Sequence, residues 1–236
     1  MSGEATVWWA ELDDFAPDSF ADVLCADERR RAASFRFPRD RARFVAARGL
    51  LRTLLADHLG TDPKRIEFAY GERGKPRLAA DEMDLRFNLS HSAGFVALAF
   101  CEGREVGVDI EAVREDLITA GIARRYLFAE AAMEIERRVG AERTEEFFRA
   151  WVRQEAYAKG HGAGLELIGQ SLESEGWTML DLDLIDGYAA ALAVEGGGGL
   201  DGGEQLVADP ARVGHAGGER LQVLDVRAVG TAEPVR

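Results

Sequence analysis

Val106-Gly107-Val108-Asp109-Ile110-Glu111 is the stretch on which the reading of this chain turns. It reads as a strand. Successive side chains on a strand face opposite ways, so Val106, Val108 and Ile110 share one face and Gly107, Asp109 and Glu111 the other. Strands favour apolar and β-branched residues, so two acids on one face need a reason. Neighbouring carboxylates repel unless a cation lies between them or one takes up a proton. Oxygen-only ligands suit a hard cation such as Mg2+, which takes one or two carboxylates together with phosphate oxygens. Taken alone, the six residues fit an edge strand with a wet acidic face slightly better. The rest of the chain reverses that preference.

Just upstream, Leu85–Leu89 alternates as a strand and runs into Ser90-His91-Ser92. Phe95–Phe100 is a continuous apolar run of the kind found in buried strands. Glu102-Gly103 then turns the chain into 106–111, which predicts a hairpin. Further back, Val7–Leu12 reads as a strand. Asp27 is placed to cap a helix through an arginine-rich run, and Asp40–Leu59 carries Phe44, Ala47, Leu51, Leu54 and Leu55 at helical spacing, with Gly60 as its stop. Ile66–Tyr70 is a short strand and Gly71–Pro76 a loop.

Downstream, 118–139 is mostly helical with a break near Leu127-Phe128. Glu142 to about Lys159 is the strongest helix, stopped by Gly160, Gly162 and Gly164. Met179–Ile185 and Tyr188–Val194 read as strands. The stretch 196–218 is rich in glycine and acid and is expected to be a mobile loop. Leu221–Val226 reads as a last strand, and the tail from Thr231 as frayed. Strands, a helical region and strands thus occur twice, with the division near Gly103: an N-terminal half 1–103 and a C-terminal half 104–236.

Composition narrows the class. The chain has 236 residues and a net charge of −13, which argues against a general nucleic-acid binder. No apolar stretch of about 20 residues is present, and the first residues carry no basic-then-apolar signal. Cys25 and Cys101 are the only cysteines, too far apart for a disulfide framework or a metal motif, so a reduced cytoplasmic protein is expected. Against the acidic total, Arg29, Arg30, Arg31, Arg36, Arg39, Arg41, Arg43, Arg48 and Arg52 cluster with only Glu28 and Asp40 among them. That is either a solvated helix surface or a docking surface for phosphate or an acidic partner.

Three further clusters carry polar chemistry. Trp151, Glu155 and Lys159 recur every four residues and so share a helix face, followed by a glycine cluster that fits sharp turns or close approach. Gly74-Lys75-Pro76 sits in a loop that lacks the spacing of a Walker A motif. Ser90-His91-Ser92 has no second histidine at zinc spacing and no nucleophile-elbow setting, which counts against a zinc enzyme and a serine hydrolase.

In order along the chain, Gly74-Lys75-Pro76, Phe87-Asn88-Leu89-Ser90-His91-Ser92, Gly107–Glu111 and Trp151–Lys159 resemble the larger, monomeric, Sfp-type 4′-phosphopantetheinyl transferases. The resemblance covers roughly residues 5 to 195. It implies an α+β fold of two similar halves related by a pseudo-two-fold, with the active site at their interface. It implies transfer of the phosphopantetheine arm of coenzyme A to a serine of an apo acyl or peptidyl carrier protein, with adenosine 3′,5′-bisphosphate leaving. The carrier could be of the polyketide, nonribosomal-peptide, siderophore or fatty-acid type; no nucleic acid or membrane is implied. Carried over residue by residue, Asp109, Glu111 and Glu155 correspond to Mg2+ ligands. Lys75 and Pro76 correspond to the adenine-side pocket, Ser90 and His91 to phosphate contacts, and Lys159 to a pyrophosphate contact. Arg31 and Arg48 fall in the basic region used for coenzyme A. Glu155, directly or through a metal-bound water, is the expected base. Gln154 departs from the lysine found there in many members, and it is the one feature that favours the alternative of a non-catalytic coenzyme A- or carrier-binding homologue.

Overall fold

The computed structural model describes residues 4–16, 18–71, 74–80, 83–115, 119–162, 176–196, 204–216 and 218–230. Its first run of elements is β1 (Ala5–Glu11), α1 (Ala26–Ala33), α2 (Pro38–Leu59), β2 (Phe68–Tyr70), β3 (Pro76–Leu78), β4 (Leu85–Ser92) and β5 (Phe95–Glu102). The second is β6 (Val106–Ala112), α3 (Thr119–Tyr126), α4 (Ala129–Arg137), α5 (Gly140–His161), β7 (Trp177–Leu182) and β8 (Tyr188–Glu195). Three strands follow: β9 (Glu204–Ala208), β10 (Arg212–Ala216) and β11 (Glu219–Gly230). The fold is α+β, as expected.

The largest sheet has the order β10-β11-β1-β5-β4, with β9 also on β11; a second sheet runs β6-β8-β7; β2 and β3 form a ribbon. In β1, Ala5, Val7 and Trp9 are buried on one face while their neighbours are only partly covered, the alternation expected of its sequence. The helix α2 starts with Pro38 in its first turn and ends at Gly60, whose left-handed φ of 60° suits a glycine cap. Its Leu50, Leu51, Leu54 and Leu55 pack with Leu85 and Phe87 of β4 and Leu98 and Phe100 of β5 in one core.

Three expectations need correction. The Phe95–Phe100 and Val106–Glu111 strands do not form a hairpin: β5 pairs with β1 and β4, while β6 pairs with β8. Gly103 turns the chain with φ 71°, and Val106, Val108 and Ile110 share a core with Ala97, Ala99 and Cys101 of β5. The contact is between faces, so the apolar content that suggests pairing is used in packing instead. The first helix begins at Ala26 with Cys25, not Asp27, at its N-cap; its first turn is closed by Glu28, whose Oε2 accepts the Cys25 N–H at 3.0 Å. Within 196–218, expected to be a mobile loop, β9 and β10 form ladders on β11. Glycine serves close packing there: a Cβ on Gly214 would lie 2.3 Å from the Trp8 ring. Residues 204–230, assigned by sequence to the C-terminal half, therefore extend the sheet of the N-terminal one. Gly164 and the tail from Thr231 lie outside the described residues. No helix among the described residues is long and apolar enough to cross a membrane.

Candidate active site

Two glycines set the site. A Cβ on Gly107 would stand 2.0 Å from the Ala156 carbonyl oxygen and 2.4 Å from the Gly160 nitrogen. The strand β6 and the helix α5 therefore touch backbone to backbone, which only glycine at 107 permits. Gly160 is hemmed in turn by the Trp177 ring, 2.6 Å from where its Cβ would be. This contact brings the Glu155 and Lys159 face of α5 over the acidic face of β6.

Asp109 is 2% exposed. Its Oδ1 accepts from Ser90 Oγ at 2.7 Å and from Lys159 Nζ at 2.5 Å, and Lys159 also donates to Ser90 Oγ at 2.8 Å. Its Oδ2 is buried with no hydrogen-bond partner. An unsatisfied buried carboxylate oxygen is unfavourable, and it marks a position where a donor or cation belongs. Two residues on, Ser92 Oγ donates to Glu111 Oε2 at 2.6 Å and accepts the Ala112 N–H at 3.1 Å. The Val108 N–H bonds Asn88 Oδ1 at 3.0 Å, so side chains of β4 satisfy the outer edge of β6. Both serine–acid pairs span 19 positions, which means that β4 and β6 run side by side in the same direction.

Glu155 is partly buried on α5. Desolvation first, then the Asp109 charge, raise its pKa above the ordinary value; Lys159 opposes this and Glu111 adds to it. His91 reaches solvent, but crowding of its ring, then the Lys159 and Arg43 cations, hold its pKa below normal. It is a neutral imidazole at pH 7 and can donate one hydrogen bond and accept another.

Among the described residues, no group of three or more His, Cys, Asp or Glu side chains is gathered closely enough to hold a metal ion. The Lys159 ammonium stands against Asp109 instead. The donor set still suits a hard cation. Its acids are all oxygen donors, Asp109 keeps a free buried oxygen, and Glu155 feels both β6 acids.

Next to this centre lies an open cleft of about 490 Å³, with Arg31, Phe44, Arg48, Tyr70, Gly74 and Pro76 in its walls. Asn88 and Leu89 line it too, so β4 leads from the cleft to Ser90 in two residues. Arg48 and the buried Arg52 both pair with Glu28, and both guanidiniums lie over the Phe68 ring. Arg31 lies over Phe44 and has no carboxylate partner among the described residues. It leaves a cation available to an anionic ligand.

Of the residues singled out by sequence, the structure brings Ser90, Asp109 and Lys159 into contact, with Glu111, Glu155 and His91 around them. It brings Arg31, Arg48 and Pro76 to the cleft. Lys75 is not in the cleft wall. Its Nζ bonds Glu105 Oε2 at 2.6 Å and the Gly160 carbonyl at 2.5 Å. Gln154 is buried, its Nε2 donating to the Tyr126 carbonyl, and Arg153 is held by both oxygens of Asp181. The sequence motifs contain Ser92, Asn88 and Gly107, but sequence reasoning gave them no role. The matched spacing of Ser90-x-Ser92 and Asp109-x-Glu111 was the available signal for the first.

The chain is similar over residues 8–103 to the family described as 4′-phosphopantetheinyl transferase, N-terminal, and over residues 105–194 to the 4′-phosphopantetheinyl transferase superfamily. It is 36% identical over 217 residues to the 4′-phosphopantetheinyl transferase HetI of Nostoc sp., a match covering 84% of this chain and 90% of that protein. To the 4′-phosphopantetheinyl transferase of Bacillus subtilis it is 29% identical over 150 residues, covering 64% and 65% of the two chains. To the L-aminoadipate-semialdehyde dehydrogenase-phosphopantetheinyl transferase of Xenopus laevis it is 29% identical over 185 residues, covering 71% and 61%.

Proposed function

This chain belongs to the 4′-phosphopantetheinyl transferase superfamily and is an enzyme of that kind; on that premise we propose that it moves the phosphopantetheine arm of coenzyme A to a carrier-protein serine at the β4–β6–α5 centre, with Mg2+. The observation that carries this reading is the buried Asp109 carboxylate, with one oxygen on Lys159 and Ser90 and the other unpartnered.

In this reading the cleft takes the adenosine 3′,5′-bisphosphate end of coenzyme A. Arg31 and Arg48 offer charge to its phosphates, and Phe44 and Tyr70 offer ring faces. The pyrophosphate then follows β4 towards Ser90, His91 and Lys159. The Lys159 side chain is 31% exposed and can turn from Asp109 to a phosphate oxygen. Asp109, Glu111 and Glu155 would hold Mg2+, which supplies positive charge to the pyrophosphate as its bond breaks. The carrier serine Oγ forms a new bond to the β-phosphorus of coenzyme A. The bond from that phosphorus to the bridging oxygen breaks, and adenosine 3′,5′-bisphosphate leaves with the electron pair. The serine proton passes to Glu155, directly or through a water.

Gln154 was the only support for a non-catalytic homologue. Its amide is committed to the Tyr126 carbonyl, so lysine's absence there removes no charge from the Asp109 centre. We further propose a monomeric cytoplasmic enzyme that serves an acyl or peptidyl carrier.

The test is incubation with coenzyme A, Mg2+ and a panel of apo carriers, followed by mass spectrometry. One carrier should gain the mass of the arm, and exhaustive chelation should stop the gain. No gain on any carrier overturns the proposal.

A further inference from the structure

Lys75 lies between Gly74 and Pro76, both in the wall of the cleft, yet it is itself absent from that wall. Lys75 follows a turn closed by the Gly74 N–H on the Gly71 carbonyl at 2.9 Å, with Gly74 at φ 81°, and its side chain leaves the cleft on the far side. There it crosses to the second run of elements. Its Nζ donates to the Gly160 carbonyl at 2.5 Å and to Glu105 Oε2 at 2.6 Å. The side chain is only 21% exposed, and Gly162 packs within reach of its Cδ. Glu105 is fixed from its other oxygen by Arg86 Nε at 3.2 Å. Its backbone is fixed as well: its carbonyl accepts the Glu195 N–H at 2.8 Å and its own N–H meets Glu195 Oε2 at 3.1 Å.

The far end of this connection matters. Gly160 follows Lys159 directly and is the residue whose nitrogen abuts Gly107. A cation on the last carbonyls of α5 is also favourable with the helix dipole. The last turn of α5 is therefore held from two sides, by β6 through Gly107 and by the cleft loop through Lys75.

We infer that Lys75 and Glu105 are positioning residues: they form a strut from the loop under the cleft to the end of α5, and set the placement of Lys159 and Glu155 rather than binding coenzyme A themselves. This rests on the transferase reading above. It gives Glu105 a role in the reaction and moves Lys75 from the ligand pocket, where sequence placed it, to the support behind it.

The test separates positioning from binding. Wild type, Glu105→Gln, Lys75→Met, Lys75→Arg and the double variant are compared in kcat for carrier modification and in coenzyme A Kd by calorimetry without carrier. Both single neutralising variants should lower kcat about tenfold, the scale of a small misplacement at a distance, while Kd stays within about twofold. The double variant should be no worse than Lys75→Met, because both break one connection. Lys75→Arg should recover most of kcat. Hydrogen exchange gives a readout independent of turnover: amides of Gly160–Gly162 should exchange faster in Glu105→Gln than in wild type. A rise in Kd as large as the fall in kcat/KM, or an unchanged kcat in both singles, overturns the strut. If wild type modifies no carrier, the function has failed, while the exchange comparison still judges the strut.

Discussion

Two buried carboxylates, one in the cleft wall and one in the centre beside it, have opposite fates. Glu28 of α1 is 5% exposed and bonded at both oxygens. Its Oε2 accepts the Cys25 N–H at 3.0 Å and Arg52 Nε at 2.6 Å, and its Oε1 accepts Arg48 Nε at 2.8 Å. Asp109 of β6 is 2% exposed and half satisfied, with Oδ2 bare. Both face cations, so burial and charge pairing do not separate structure from function here. Completeness does. An acid with both oxygens bonded ties helices together, whereas an acid with a buried free oxygen is held ready for something that arrives.

The comparison breaks most visibly in activity. Asp109→Asn should lower transfer about 10³-fold, as loss of a group aimed at developing charge does. Its Tm should stay within a few degrees of wild type, because Lys159 keeps Ser90 and solvent as partners. Glu28→Gln should do the reverse. Breaking a buried pair while leaving Arg52 inside is worth about 3 kcal/mol of unfolding free energy by urea titration, and the folded fraction should still transfer. Near-normal transfer by a folded Asp109→Asn protein, or an undiminished Glu28→Gln stability, would show that the distinction has no content.

The same pair predicts a pH dependence. Burial pushes the Glu28 pKa up, but Arg48, the Cys25 N–H and Arg52 outweigh it, so the folded value lies below the ordinary 4.5. A depressed folded pKa gives stability that is fully present above 4.5 and fades as pH falls through the folded value. The stability gap between wild type and Glu28→Gln should therefore be constant from pH 7 to about pH 5 and narrow below it. A gap that widens on acidification contradicts the assignment.

Arg31 sharpens the contrast among the cations. Arg48 and Arg52 both pair with Glu28, whereas Arg31, among the described residues, has only the Phe44 ring. Arg31→Ala should weaken coenzyme A binding about tenfold, the value of one partly exposed charged contact to phosphate, with no measurable change in Tm. Unchanged affinity by calorimetry would remove Arg31 from the site.

How much of this the sequence could show depends on whether a feature is local. The strands at 5–11, 85–92, 106–112 and 188–195 and the helix 140–161 follow from alternation and spacing within each segment. Asp109, Ser90 and Lys159 carry chemistry that segment-level patterns expose. The β5–β6 hairpin failed because an apolar run does not say whether it meets its neighbour by edge or by face. The stretch 204–216 looked mobile because its order comes from β11, far along the chain, and from a glycine that fits under Trp8. The motif names the Lys75 loop, but the bonds of its side chain to Glu105 and the Gly160 carbonyl come from residues far along the chain, which no local pattern shows.

Gln154 makes the smallest and most discriminating test. From sequence it was a lost charge beside a proposed metal ligand. In the structure it is 5% exposed, its Nε2 on the Tyr126 carbonyl and its Oε1 without a partner. One hydrogen bond is gained and one buried oxygen is left bare, so the side chain contributes little net stability. Gln154→Met keeps the volume, removes the bare oxygen and gives up the single bond. Tm should fall by only about 2–4 °C for roughly 1 kcal/mol in a chain of this size, and kcat should stay within about threefold of wild type. A fall as deep as that of Asp109→Asn would mean that the amide reaches the reacting phosphates after all, and that its bare Oε1, like Asp109 Oδ2, waits for a ligand.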